Sequence, residues 1–164
     1  MRKAPLSLVI ARTSGASRGD CLKLVGQDVS HIDVLNERYC RYRKLFLSSN
    51  RVVKLKNVAQ FSKVEMVSLA NNLVSDLSQI LHLQGCPKLR VLNLSGCPVT
   101  SYPFYRFHCL RLLPELTSLD SHRVTTCERA MVAPTLERES SLLSLMLANF
   151  CLILKLKETC RRIR

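Results

Sequence analysis

The chain has 164 residues, a formal net charge of +13, 47% apolar residues, eight cysteines, five glycines and no tryptophan. That length sets one domain as the prior, and the apolar content is enough for a core. The scarcity of glycine excludes a Gly-rich phosphate loop, and the charge favours acidic partners such as nucleic acid, anionic membrane or an acidic protein surface.

Residues 1–20 carry four basic residues and no acid before Asp20. Leu6–Ala11 is too short for a secretory apolar core. An Arg- and Ser-rich, acid-poor composition suits a mitochondrial transit peptide. The other reading is a basic arm or cap covering the open end of whatever follows.

Residues 21–101 repeat. The stretch Leu89–Tyr102 reads LRVLNLSGCPVTSY, with leucines at 89, 92 and 94, Cys97 three positions on, and Val99 in the next apolar slot. The same ruler finds Leu22, Leu24, Gln27, Val29 and Ile32, then Leu45, Leu47, Asn50, Val52 and Leu55, then Val64, Val67, Leu69, Asn72, Val74 and Leu77. The central leucines, Leu24, Leu47, Leu69 and Leu94, are spaced 23, 22 and 25 residues apart. This is the period and pattern of leucine-rich repeats, so four units of an α/β solenoid are expected. Each unit supplies a short strand, and the Asn-type residue turns the chain by bonding backbone. Asn57–Lys63 and Ser78–Gly85 are expected on the convex side as short helical or 3₁₀ turns, the second with Ile80, Leu81 and Leu83 in a helical turn.

Residues 102–129 change character. They contain Tyr105-Arg106, Leu113-Pro114-x-Leu116-x-x-Leu119-Asp120, Val124 and Glu128-Arg129. This resembles the LRR-cap motif, which closes the C-terminal end of short intracellular repeat proteins, as solenoid ends must be closed. Phe107, Leu110, Leu112 and Leu113 are expected in a helix over the last repeat, Leu116 and Leu119 in a final strand, and Asp120 as an acceptor for the turn that follows. The resemblance spans about Cys21–Arg129. The chain departs from it in Gln27 and Cys97 at Asn positions and in His122 after the cap's Asp. The family resembled includes the A-prime subunit of the spliceosomal branch-point particle and several cilium- and centrosome-associated proteins, and the short cilia- and flagella-associated members look most similar. It implies an interaction adaptor in the cytoplasm, at a cilium, basal body, centrosome or cytoskeletal assembly. The alternative is a nuclear ribonucleoprotein subunit.

Residues 130–164 hold an apolar run, Leu142–Leu154, followed by Lys155, Lys157, Arg161, Arg162 and Arg164. Thirteen residues are short for a span, which needs about 20. A helical tail is expected, packed on the solenoid end or seeking a membrane interface through 142–164.

No catalytic pattern emerges, and an enzyme is not expected. His31, His82, His108 and His122 have no metal-ligand spacing, no C-x-x-C pair occurs, and carboxylates are scattered. His108 and Cys109 are chain neighbours, so a helix points them apart. The cysteines read as buried, reduced thiols. No cofactor or metal is expected.

Two surfaces remain. Alternation along the strands turns the leucines inward and their neighbours outward. The outward columns are Cys21, Lys44, Met66 and Val91, then Lys23, Phe46, Ser68 and Asn93, then Val25, Ser48, Ala70 and Ser95. Phe46, Met66 and Val91 give an apolar centre rimmed by lysines, which suits a helix or loop of another protein. The partner-binding set is Lys23, Lys44, Phe46, Met66, Ser68, Val91 and Asn93. The second surface is a basic edge of Arg38, Arg41, Arg43, Arg51, Lys54 and Lys56, which successive turns are expected to align for phosphate backbone or acidic tails.

Overall fold

The computed structural model describes residues 4–132 apart from 14 and 16, and gives no side-chain description for 17, 18 and 38. The expected tail, the Leu142–Leu154 run and its membrane contact lie outside the described residues.

Four three-residue strands carry the repeats: β3 (Cys21–Lys23), β5 (Lys44–Phe46), β6 (Met66–Ser68) and β7 (Val91–Asn93). They pair in parallel with matched register, Leu22 beside Leu45 beside Val67 beside Leu92. These four residues point inward and are buried, with Leu24, Leu47, Leu69 and Leu94 beneath them. A parallel stack of so few residues per strand is held by this leucine core, each buried side chain contributing roughly 1.5–3 kcal/mol.

Asparagine joins one coil to the next. Asn50 Oδ1 accepts from the Gln27 and Val29 amides at 3.0 Å each, and its Nδ2 donates to the carbonyls of Leu24 (2.7 Å) and Leu47 (2.8 Å). Asn72 repeats the arrangement one coil later, accepting from Val52 N and donating to Leu47 O and Leu69 O. Both are buried. Cys97 fills the fourth such slot with a thiol that donates to Leu69 O at 3.2 Å. Gln27 does not fill the first: its side chain is exposed, and it is tied instead through its own amide to Asn50.

One residue before each slot the backbone is left-handed: Gly26, Ser49, Asn71 and Gly96, with φ between 55° and 75°. Gly96 meets the left-handed backbone without strain, where a larger residue would also push the Asn71 side chain aside. A Cβ would lie 2.2 Å from Asn71 Oδ1.

The convex side is 3₁₀, at Val58–Gln60 and Leu77–Gly85. Within the second, Ile80 and Leu83 are buried but Leu81 is half-exposed. Ile80 and Leu83 share the inward side because residues three apart eclipse in a 3₁₀ helix. Gln60 stitches this side, accepting from Leu35 N at 2.8 Å and donating to Asp33 O at 2.9 Å.

Both ends of the sheet are covered. At the first repeat β1 (Ala4–Pro5) pairs in parallel with β4 (Val29–His31), and α1 (Leu6–Arg12) buries Leu6, Val9 and Ile10. The Ser7 amide and hydroxyl both donate to the Asp33 carboxylate. Next, β2 (Ser17–Arg18) runs antiparallel along β3. At the other end α2 (Tyr105–Leu112) packs on the last repeat, β8 (Ser118–Leu119) extends the parallel sheet, and β9 (His122–Arg123) closes it antiparallel, before α3 (Thr126–Val132).

The cap motif is a hydrogen-bond network. Arg106 holds Glu128 with bonds of 2.5 and 3.2 Å and donates to Leu119 O and Arg123 O. Arg129 donates to Pro114 O and, at 2.5 Å, to Leu116 O. Two expectations need correction. Leu110 and Leu113 are buried and Leu112 packs half-buried against the core as expected, but Phe107 is only half-buried and Tyr105 and Cys109 complete the inward face of α2. Asp120 bonds backward, accepting from Leu94 N at 2.6 Å, because parallel pairing places it against the preceding strand.

A candidate protein-interaction face

The strand register fixes which outward residues are neighbours. Lys44 lies beside Cys21 on one side and Met66 on the other, and Val91 follows Met66. Lys23, Phe46, Ser68 and Asn93 form the parallel row. Phe46, Met66 and Val91 are half-buried, so each keeps surface for a partner, while Lys23 and Lys44 are exposed. All seven residues of the expected partner-binding set therefore share one face. The cap adds Ser118 to the first row, which sequence spacing alone did not include. Ser48 and Ser68 are linked by a 2.8 Å hydroxyl bond, which fixes the polar floor beside Phe46.

The basic edge does not assemble as one strip. Arg41 and Arg43 precede β5, whereas Arg51 follows Asn50 at the other end of the same strand, and Lys54 and Lys56 lie further along the coil. The strand and turn between them separate the charges. Two of the six are also paired with acids. Arg43 pairs with Glu65 at 2.7 Å and approaches Asp20 at 4.0 Å, and Arg51 pairs with Asp28 at 3.0 Å. Arg38 sits in a 3₁₀ turn, Glu37–Tyr39. Arg41, Lys54 and Lys56 are exposed.

Sequence reading missed an alternating row at the entry to the strands. Asp20, Arg43, Glu65 and Arg90 occupy equivalent positions and are joined by backbone bonds, Arg43 N to Asp20 O, Glu65 N to Arg43 O and Arg90 N to Glu65 O, each 2.8 Å. Arg90 pairs with Glu115 in the cap. The signal was available as residues of opposite sign just before successive strands.

The buried thiols Cys86 and Cys109 are held in the protonated, unreactive form. Burial pushes Cys86 up to about 11 and Cys109 up to about 12, so both are thiols at neutral pH. Burial, then Arg111, lowers His108, which stacks edge-on against Phe107 at 6.2 Å. A cleft of about 490 Å³ in the cap is lined by Tyr105, Arg106, Asp120, His122, Arg123 and Glu128, among others. Arg106 and Glu128 there satisfy each other. Among the described residues no cluster of His, Cys, Asp or Glu is arranged to hold a metal, and no helix is long and apolar enough to cross a membrane.

The leucine-rich repeat family model matches residues 10–141. The chain belongs to the leucine-rich repeat family. Among curated relatives, this leucine-rich repeat chain is 35% identical to the U2 small nuclear ribonucleoprotein A′ of Mycosarcoma maydis, over 51% of this chain and 34% of that protein. It is 37% identical to human cilia- and flagella-associated protein 410, over 48% and 32%. It is 28% identical to dynein axonemal assembly factor 11 of Danio rerio, over 71% and 31%. The chain spans about a third of the length of these relatives. Among solved structures it is similar to one in the Drosophila melanogaster SNF/U2A′ complex, with a TM-score of 0.68 and 23% identity, covering 79% of this chain and 74% of that one. At that identity the likeness establishes the shared fold.

Proposed function

We propose that this chain is a non-enzymatic interaction adaptor that holds a helix or loop of another protein on its concave face, in cilium, basal-body or cytoskeletal assembly. The observation that carries the reading is the patch of Phe46, Met66 and Val91, set on three successive strands in two adjoining outward rows and left half-buried beside two exposed lysines. An apolar centre with a polar rim is the anatomy of a protein docking surface. The likeness to cilia- and flagella-associated protein 410 and to dynein axonemal assembly factor 11 supports the ciliary setting.

A second reading has its own support. The A′ relatives belong to a small nuclear ribonucleoprotein, the chain carries +13, and Arg41, Lys54 and Lys56 are exposed. On that reading the chain is a nuclear ribonucleoprotein subunit whose basic residues touch RNA.

Affinity capture at low and high salt, with and without ribonuclease, separates the two. The wild type is compared with a variant carrying Phe46→Ala and Met66→Ala. The adaptor reading expects a defined protein retained at high salt and lost in the variant. Retention that is abolished by salt and ribonuclease and is indifferent to the variant replaces it with the RNA reading, since phosphate contacts release counterions.

A further inference from the structure

The occupant of the concave face can be specified further by geometry and charge. This step rests on the docking reading above. Phe46, Met66 and Val91 stand on three successive strands. Neighbouring strands are spaced by about 4.8 Å, close to the α-helical pitch of about 5.4 Å. A helix laid across the strands therefore presents one turn to each. Three apolar side chains at positions i, i+3 or i+4, and i+7 meet the three anchors, and one further turn reaches β3.

Charge is not symmetrical along that line. Arg43 is neutralised by Glu65 and Asp20, and Arg90 by Glu115, at the entry to the strands. On the outward face Lys23 and Lys44 are exposed and make no ion pair among the described residues. Lys23 stands on the first-repeat strand beside Phe46, and Lys44 stands on the same strand as Phe46, beside Met66, so both lie on the side of the face away from the cap. At the cap end of the Lys23–Phe46–Ser68–Asn93 row stands Asp120, its carboxylate engaged by Leu94 N.

We infer that the face is built for an acidic amphipathic helix of a partner protein, with apolar residues at i, i+3 or i+4 and i+7 over Phe46, Met66 and Val91, and Asp or Glu at the same end, over Lys44 beside the Phe46 turn and over Lys23 one turn beyond. The lysines select the partner and its direction along the face, and the apolar anchors hold it. An exposed lysine–carboxylate pair adds modest affinity, but a like charge placed there is rejected.

The probe is a display library of single-helix peptides randomised on one face and selected on the full chain. Enriched peptides carry the apolar spacing with Asp or Glu at one end. Lys23→Gln and Lys44→Gln each weaken the best synthetic peptide by about two- to fivefold. Selection on a Lys23→Glu, Lys44→Glu variant enriches Lys or Arg at the same end. Far-UV circular dichroism confirms that these surface variants keep the fold. Peptides that need Phe46 and Met66 but show no acidic bias and ignore the lysines overturn the charge assignment and leave the docking reading standing. Failure to enrich any peptide, or binding indifferent to Phe46→Ala and Met66→Ala, overturns the docking reading as well.

Discussion

Asn72 reaches across to the preceding coil, where its Oδ1 accepts from Val52 N at 3.0 Å while its Nδ2 donates to Leu47 O at 2.9 Å. One buried side chain thus satisfies backbone groups of two repeats, and Asn50 does the same one coil earlier. Asn72→Ala leaves the Val52 amide without that acceptor inside the core, at a cost of about 2–3 kcal/mol. Urea denaturation measures it, and a midpoint unchanged from wild type contradicts the role. Cys97→Asn tests the same slot in reverse. Its thiol already donates to Leu69 O, so Asn is expected to hold or raise stability by up to about 1 kcal/mol.

Glu128 carries the pH dependence of the cap. Arg106 above all, with the Thr125 amide and hydroxyl, holds its carboxyl at about 2, against an ordinary 4.5. Its charged form is therefore favoured by folding, and the stabilisation is complete above about pH 4.5. It is lost as pH falls from there through about 2. The melting temperature of wild type is expected to approach that of Glu128→Gln across this window. A constant gap between the two down to pH 2 contradicts the pairing.

Phe104 adopts φ 59° just before α2, and its ring is 67% exposed. The left-handed region disfavours a bulky side chain, and little burial offsets the strain. Phe104→Asn or Phe104→Gly is expected to stabilise the fold by about 1 kcal/mol, and Phe104→Ala to give no such gain. Denaturant midpoints of the three variants decide it.

The buried thiols are expected to resist alkylation. Cys86 and Cys109 stay protonated at pH 8, whereas Cys127 is exposed. Peptide mass mapping after a short pulse should find Cys127 modified and Cys86 and Cys109 intact until urea is added. Equal labelling contradicts the packing of the cap helix.

The solenoid was legible because leucine spacing is set by the core: a side chain that must be buried once per coil repeats once per coil. The outward columns followed from period-two alternation, and the register places Lys44 beside Met66 and Phe46 beside Ser68 as the spacing required. Gln27 was legible as a departure from the Asn pattern, and its exposed side chain leaves that slot unfilled. The basic edge misled for a geometric reason. A run of arginines and lysines along one coil passes through a strand and a turn, so neighbours in sequence face different directions. Their acidic partners, Asp28 for Arg51 and Glu65 for Arg43, sit a full coil away. Asp120 misled because its partner, Leu94 N, belongs to the previous strand rather than the next turn.

The central claim is that the outward face of the strands is where a protein partner binds. A photo-crosslinking residue placed at Ser68, in the middle of that face, is compared with the same residue at Lys54, exposed elsewhere on the coil. The account predicts a protein adduct from position 68 that survives ribonuclease and high salt, is lost when Phe46→Ala and Met66→Ala are added, and is absent from position 54. Equal adducts at both positions, or an adduct at 68 unaffected by those two substitutions, would contradict it.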